Sequence, residues 1–150
     1  FLMGSSAGAS HVASYLFREA SHLPDGPGVI GGILNSGSFS ASDGETAKIY
    51  YGEERFQREN RVGLGLINDY QGHRISVLLL SAQFDTSSIE TSVAKTYAVL
   101  CEKYDGCPRY VQLNGHNHVS GVMSFNSSDE QMSSHVLTFV QDVLISSAGL

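Results

Sequence analysis

A serine set between two glycines, an aspartate closing an apolar run and two histidines separated by one residue are the side chains of this sequence best suited to do chemistry together. The serine comes first. Gly4-Ser5-Ser6-Ala7-Gly8 follows the apolar stub Phe1-Leu2-Met3 and precedes a helical pattern. Strand, then G-x-S-x-G, then helix is the order in which this pentapeptide makes a turn sharp enough to hold a serine hydroxyl above a sheet. Side chains at Gly4 and Gly8 are expected to collide there with neighbouring backbone. The N–H of Ala7, at the positive end of the following helix, is expected to point toward a developing oxyanion. Ser6 is therefore the candidate nucleophile and Ala7 the candidate oxyanion donor. The pentapeptide is short and arises by chance in a chain with 16 glycines, so its partners decide its meaning.

An alcohol nucleophile needs a base to take its proton and an acid to hold that base in one tautomer. Asp85 follows the most apolar stretch of the chain and is the candidate acid, although an aspartate before Thr86-Ser87-Ser88 also suits a helix N-cap. Asp105, its nearest competitor, precedes Gly106 and reads as a turn residue. Six histidines are available. His11 reads as a packing or surface residue of the first helix, His22 and His73 flank chain breakers, and His135 falls in the last helix. His116 and His118 both lie in the loop after the last strand, where a base belongs, and spacing alone leaves the two open.

These residues must be brought together by the elements around them. Val12, Tyr15, Leu16 and Phe17, with small alanines between, predict a helix over 9–19 that can lie close to a sheet. Pro24-Asp25-Gly26-Pro27-Gly28 ends it. The runs 29–34, 74–83 and 110–113 predict buried strands, with 115–118 as the loop after the third. Short helices are expected over 45–51, 53–61 and 64–70. A longer one is expected over 86–102, with Ile89, Val93, Tyr97, Ala98 and Cys101 on its inner face, and another over 136–145, with Val136, Phe139, Val140, Val143 and Leu144 as its apolar stripe. Strands alternating with helices predict an α/β fold with a mostly parallel sheet. In such a sheet functional groups gather beyond the carboxyl ends of the strands, which is where Ser6, Asp85 and His118 each fall.

Composition narrows the chemistry. At 150 residues and 41% hydrophobic, the chain has the size and apolar content of one domain. A formal charge of -6, with nine Lys+Arg and no basic cluster, argues against nucleic acid or an anionic membrane as partner and favours a small neutral or apolar substrate. No apolar run reaches the roughly 18 residues of a membrane span. Phe1-Leu2-Met3 is too short for a signal peptide, and a chain opening inside an apparent strand reads as cut from something longer. Cys101 and Cys107 have neither metal-ligand spacing nor a C-x-x-C pattern. They read as structural residues, with a local disulfide as the alternative.

The order Ser, Asp, His with the serine on an elbow is that of the α/β-hydrolases, and four stretches resemble the esterase/lipase branch that includes the carboxylesterase-like proteins common in fungi. Phe1 to Ala13 resembles its elbow and helix. Tyr50-Tyr51-Gly52 with Gly63-Leu64-Gly65-Leu66 resembles the segment before the acid-bearing strand, Ser81-Ala82-Gln83-Phe84-Asp85 its acid loop, and Leu113-Asn114-Gly115-His116-Asn117-His118-Val119-Ser120 its base loop. In that branch the second histidine of this loop is catalytic and the first is not, so the resemblance assigns the base to His118. Ala9, Gln83 and Thr86 depart from the glycine, acidic residue and proline frequent at those places.

The resemblance implies an α/β-hydrolase fold and hydrolysis of a carboxylic ester through an acyl-enzyme, with Ser6, Asp85 and His118 as triad and no metal or organic cofactor. It also implies an H-G-G-G-type turn completing the oxyanion hole, which this sequence lacks. The chain is accordingly expected to be the carboxyl-terminal half of a single α/β-hydrolase domain, with the remaining strands in the same or a separate chain. Region 38–72, with Tyr50, Tyr51, Phe56 and Leu66, is the expected place for a cap over the acyl or alcohol pocket, with ordinary packing of its aromatic residues as the equal alternative. An amide-cleaving relative of the arylformamidase or prolyl oligopeptidase type would use the same three residues. A binding protein of the same fold is the non-enzymatic alternative.

Overall fold

The computed structural model describes residues 1–19, 22–24, 26–39, 49 and 64–149. Within them, strands β1 (Leu2–Ser5), β2 (Gly31–Asn35), β3 (Ser76–Phe84) and β4 (Arg109–Asn117) form one four-stranded sheet in chain order. Every neighbouring pair is parallel, with Leu2 opposite Gly32, Gly32 opposite Val77 and Leu79 opposite Tyr110. Parallel neighbours need crossover connections, and helices supply them. Helix α1 (Ala7–Leu16) links β1 to β2, α2 (Leu64–Asp69) precedes β3, and α3 (Ser87–Lys103) links β3 to β4. The chain then runs through the single turn α4 (Ser120–Met123) into α5 (Gln131–Ser147).

Strand β3 explains the layering. Its side chains alternate between faces, as the period of a strand requires. Val77 and Leu79 enter a core with Ala9, Ala13 and Leu16 of α1, Ile67 of α2, and Val93 and Leu100 of α3. Leu78 and Leu80 enter a second core with Ile33, Leu113, and Met132 and Phe139 of α5. A sheet covered on both faces demands a continuous apolar run, which is why 77–80 reads Val-Leu-Leu-Leu. Each of those three leucines is fully buried and contributes about 2 kcal/mol of transfer free energy.

Among the described residues the predicted strands and helices occur within about five residues of their expected limits, with instructive differences. The inner face of α3 is centred on Ser92, Val93, Thr96 and Leu100, while Ala98 is exposed. Two hydroxyls lie on that face because both are satisfied: Ser92 Oγ accepts the Phe39 N–H at 2.6 Å, and Thr96 Oγ1 donates to the Ser92 carbonyl at 2.9 Å. Leu144, expected in the stripe of α5, is half exposed, and Met132 takes part instead. Leu66 packs against the first core. Apart from Ile49, the helix expected over 45–51 lies outside the described residues, as do the helix expected over 53–61 and with them Tyr50, Tyr51 and Phe56. Cys101 and Cys107 are bonded, with Cα atoms 4.2 Å apart, tying the end of α3 to the approach to β4. The local bridge is thus the sequence reading that holds.

Candidate active site

Ser6 lies between β1 and α1 with φ 54° and ψ -122°. A non-glycine residue in the left-handed half of backbone space costs about 1–3 kcal/mol and persists only where its surroundings over-determine it. Here they do. The Ser6 N–H donates to the Asn35 carbonyl at 2.9 Å, extending the β1–β2 ladder one step past the strand, while the Ser6 carbonyl accepts from Ala9 N at 3.1 Å to start α1. Gly4 is required by contact: a Cβ there would stand 2.3 Å from the Gly8 carbonyl oxygen. Gly8 differs from the expectation, since a Cβ on it would meet nothing within 4 Å. The crowding is one-sided because Gly4 faces the backbone of α1, whereas position 8 lies on that helix and faces away. Ala7, the first residue of α1, is exposed beside Ser6 with its N–H at the helix amino terminus.

The neighbouring strand repeats the device. Ser36, directly after β2, has φ 48° and hangs by its N–H from the Leu80 carbonyl at 2.8 Å. It is fully buried. Its hydroxyl donates to Asp85 Oδ2 at 2.6 Å, and the Ala82 N–H donates to the same oxygen at 2.8 Å. The Asp85 side chain is wholly buried, so these donors, with one more from His118, replace the water it has lost. The N-cap reading of Asp85 does not hold: the N-cap of α3 is Thr86, and the aspartate faces the other way.

His118 completes the arrangement. Its Nδ1 lies 2.7 Å from Asp85 Oδ1 and its Nε2 2.8 Å from Ser6 Oγ. An ionised carboxylate can only accept, so Nδ1 carries the hydrogen and Nε2 is left bare to accept from the serine hydroxyl. The imidazole side chain is 33% exposed, whereas the Asp85 carboxylate behind it is wholly buried. Three residues far apart in sequence thus form one hydrogen-bonded chain along one end of the sheet. His116 is not part of it; its ring is buried and bonds to Ser120 and Asp129.

Strand β4 runs through Gly115, His116 and Asn117, residues expected in a loop. The extension depends on a partner distant in sequence, because Phe84 pairs with Asn117 after an irregularity and Gln83 Oε1 accepts the Gly115 N–H at 2.7 Å. Gln131 holds the other flank, accepting from Asn114 N at 2.6 Å and donating to the Asn114 carbonyl at 3.3 Å. Among the described residues no group of three or more His, Cys, Asp or Glu side chains is placed to hold a metal ion. A cavity lined by Arg74, Tyr104, Arg109 and Asp142 opens near the amino ends of β3 and β4, remote from Ser6.

Two contributors escaped the sequence reading. Ser36 was visible only as part of the polar Asn35-Ser36-Gly37-Ser38 boundary, although a serine directly after a buried strand is a signal of the same kind as Ser6. Ser120 sits in the stretch resembling the base loop, without a role assigned to it.

No known family model matches the sequence, and no curated protein matches it. Solved structures do. Apo esterase 2 of Thermogutta terrifontis superposes on 97% of this chain and 55% of its own, with TM-score 0.70 at 13% identity. Esterase Est22 does so over 91% of this chain and 45% of its own, with TM-score 0.65 at 13% identity. Dipeptidyl peptidase 4 of Porphyromonas gingivalis matches 95% of this chain and 19% of its own, with TM-score 0.61 at 13% identity. The chain therefore has the α/β-hydrolase fold, as a parallel sheet flanked by helices. It spans about half the length of the esterases it matches.

Proposed function

We propose that this chain carries the catalytic residues of a serine hydrolase that cleaves carboxylic esters through an acyl-enzyme. Ser6 Oγ attacks the ester carbonyl while His118 Nε2 takes its proton, and the carbonyl oxygen becomes an oxyanion facing the Ala7 N–H. The tetrahedral intermediate collapses with loss of the alcohol, which leaves with the proton returned by His118. Water, deprotonated by the same nitrogen, then attacks the acyl-Ser6 ester and releases the acid. Asp85 holds the imidazole in the required tautomer and stabilises the imidazolium in both halves of the cycle. No step calls for a metal or an organic cofactor.

The observation carrying this reading is the unbroken chain Asp85 Oδ1, His118 Nδ1, His118 Nε2, Ser6 Oγ at 2.7 and 2.8 Å, ending on a serine in strained backbone. The ester substrate and the carboxylesterase-like, fungal-type branch rest on the sequence resemblance, with the esterase folds in support. Cleavage of an amide is the second reading, favoured by the likeness to a dipeptidyl peptidase. Either activity is proposed for a larger unit in which this chain is the carboxyl-terminal half and further strands bring a second oxyanion donor. In support, β1 pairs on one side only among the described residues and leaves Phe1 and Met3 about one-third exposed.

Turnover of p-nitrophenyl acyl esters and dipeptidyl p-nitroanilides, measured side by side with and without Ser6→Ala, decides between the readings. Ester turnover well above anilide turnover, abolished by the substitution, is expected. Anilide preference would replace the ester with an amide, and activity surviving Ser6→Ala would contradict the role of the serine.

A further inference from the structure

His116 and His118 leave the end of β4 two residues apart and are held in opposite ways. The His116 side chain is 7% exposed, with Nε2 3.1 Å from Asp129 Oδ2 and Nδ1 3.1 Å from Ser120 Oγ. Asp129, as an ionised carboxylate, accepts only, so Nε2 of His116 carries the hydrogen and, in the neutral imidazole, Nδ1 is the bare acceptor. The Ser120 hydroxyl must then donate to Nδ1, which leaves its lone pairs for the Asn117 N–H at 2.9 Å. From the other side, Asn117 Oδ1 accepts the N–H groups of Val119 and Ser120, both at 3.0 Å. The four-residue turn 117–120, which contains His118, is thereby closed by side chains at both ends. With His116 neutral, the carboxylate of Asp129 sets the direction of the bonds through His116 and Ser120 to Asn117.

We infer that His116 is a positioning residue for His118, acting through the Ser120 hydroxyl; the inference rests on the hydrolase reading above. His118 must keep Nε2 within 2.8 Å of Ser6 Oγ while carried on a turn past the end of a strand. A shift of about 1 Å at a reacting atom costs on the order of 100-fold in rate. The Ser120 hydroxyl has two acceptors in reach, His116 Nδ1 at 3.1 Å and the Asn117 carbonyl at 3.5 Å; the nearer, His116 Nδ1, orients it so that a lone pair meets the Asn117 N–H. His116 touches no reacting atom, and its contact with Asp129 sets its tautomer.

The test uses side chains that each keep half of the imidazole. Asparagine at 116 places an acceptor where Nδ1 was, keeping the Ser120 contact and losing Asp129. Glutamine reaches the Nε2 position, keeping Asp129 and losing Ser120. The readout is the second-order rate of Ser6 modification by a fluorophosphonate probe, measured on folded protein alongside thermal stability. His116→Ala and His116→Gln should slow labelling on the order of 100-fold, while His116→Asn stays within a few-fold of wild type, whatever each does to stability. Ser120→Ala, which leaves the buried imidazole in place, should match His116→Ala, and the double substitution should add little because both remove one route. Glutamine rescuing as well as asparagine, wild-type labelling in all variants, or additive losses would overturn the inference and leave His116 a packing residue. A wild-type protein that is not labelled at Ser6 would instead remove the hydrolase reading, and this inference with it.

Discussion

His118→Ala is expected to lower ester turnover roughly a hundred-thousand-fold to a million-fold in kcat, with KM little changed. The magnitude follows from position. His118 Nε2 is 2.8 Å from Ser6 Oγ and is the group assigned to take the nucleophile's proton, return it to the leaving alcohol and activate the water. Removing it disables every proton transfer and leaves only binding and oxyanion stabilisation. The serine hydroxyl would remain where its backbone holds it, since φ at Ser6 is set by the Asn35 and Ala9 bonds and not by the histidine. Steady-state kinetics with a short-chain p-nitrophenyl ester checks this. A loss below about 100-fold would mean that another group serves as base.

Asp85→Asn should cost about 10,000-fold in kcat without unfolding the protein, and the geometry gives a reason particular to this site. Oδ2 receives the Ala82 N–H, a donor that cannot reverse, and the Ser36 hydroxyl. An asparagine must turn its carbonyl oxygen to that side. Its NH2 group then faces His118 Nδ1, which has to become an acceptor, moving the ring hydrogen to Nε2. A protonated Nε2 cannot receive the proton of Ser6. Ser36→Ala keeps the correct tautomer but removes one donor from a buried carboxylate, and is expected to cost about 10- to 100-fold, the size of one charge-assisted hydrogen bond. Both variants are checked in the same assay as His118→Ala, with circular dichroism to confirm folding. Equal losses from the two would contradict the tautomer argument.

Local rules made much of this fold readable in the sequence, and the exceptions have a common origin. The run 77–80 reads as a strand buried on both faces, and the expected crowding at Gly4 is met by the helix backbone at Gly8. The elements that were misplaced depend on partners distant in sequence. Gly115-His116-Asn117 has weak strand preference and is extended because Gln83 and Phe84 lie alongside. Ser92 and Thr96 lie on a buried helix face because their hydroxyls find carbonyl or amide partners, which an apolar pattern does not register. The crowding at the elbow belongs to Gly4 alone, since a Cβ on Gly8 meets nothing within 4 Å. The same division runs through the site: the serine was visible from its motif and the aspartate from its strand. Ser36 gains its role only when β2 and β3 are side by side, and the choice between His116 and His118 came from resemblance, since both occupy one loop and spacing cannot separate them.

The central claim is that Ser6 is an activated nucleophile, and mapping the site of fluorophosphonate attachment tests it most directly. Intact-mass and peptide mass spectrometry of the labelled protein should find a single adduct on Ser6, absent from Ser6→Ala and strongly slowed in His118→Ala. An adduct on any other residue, or labelling that persists unchanged in Ser6→Ala, would contradict the account.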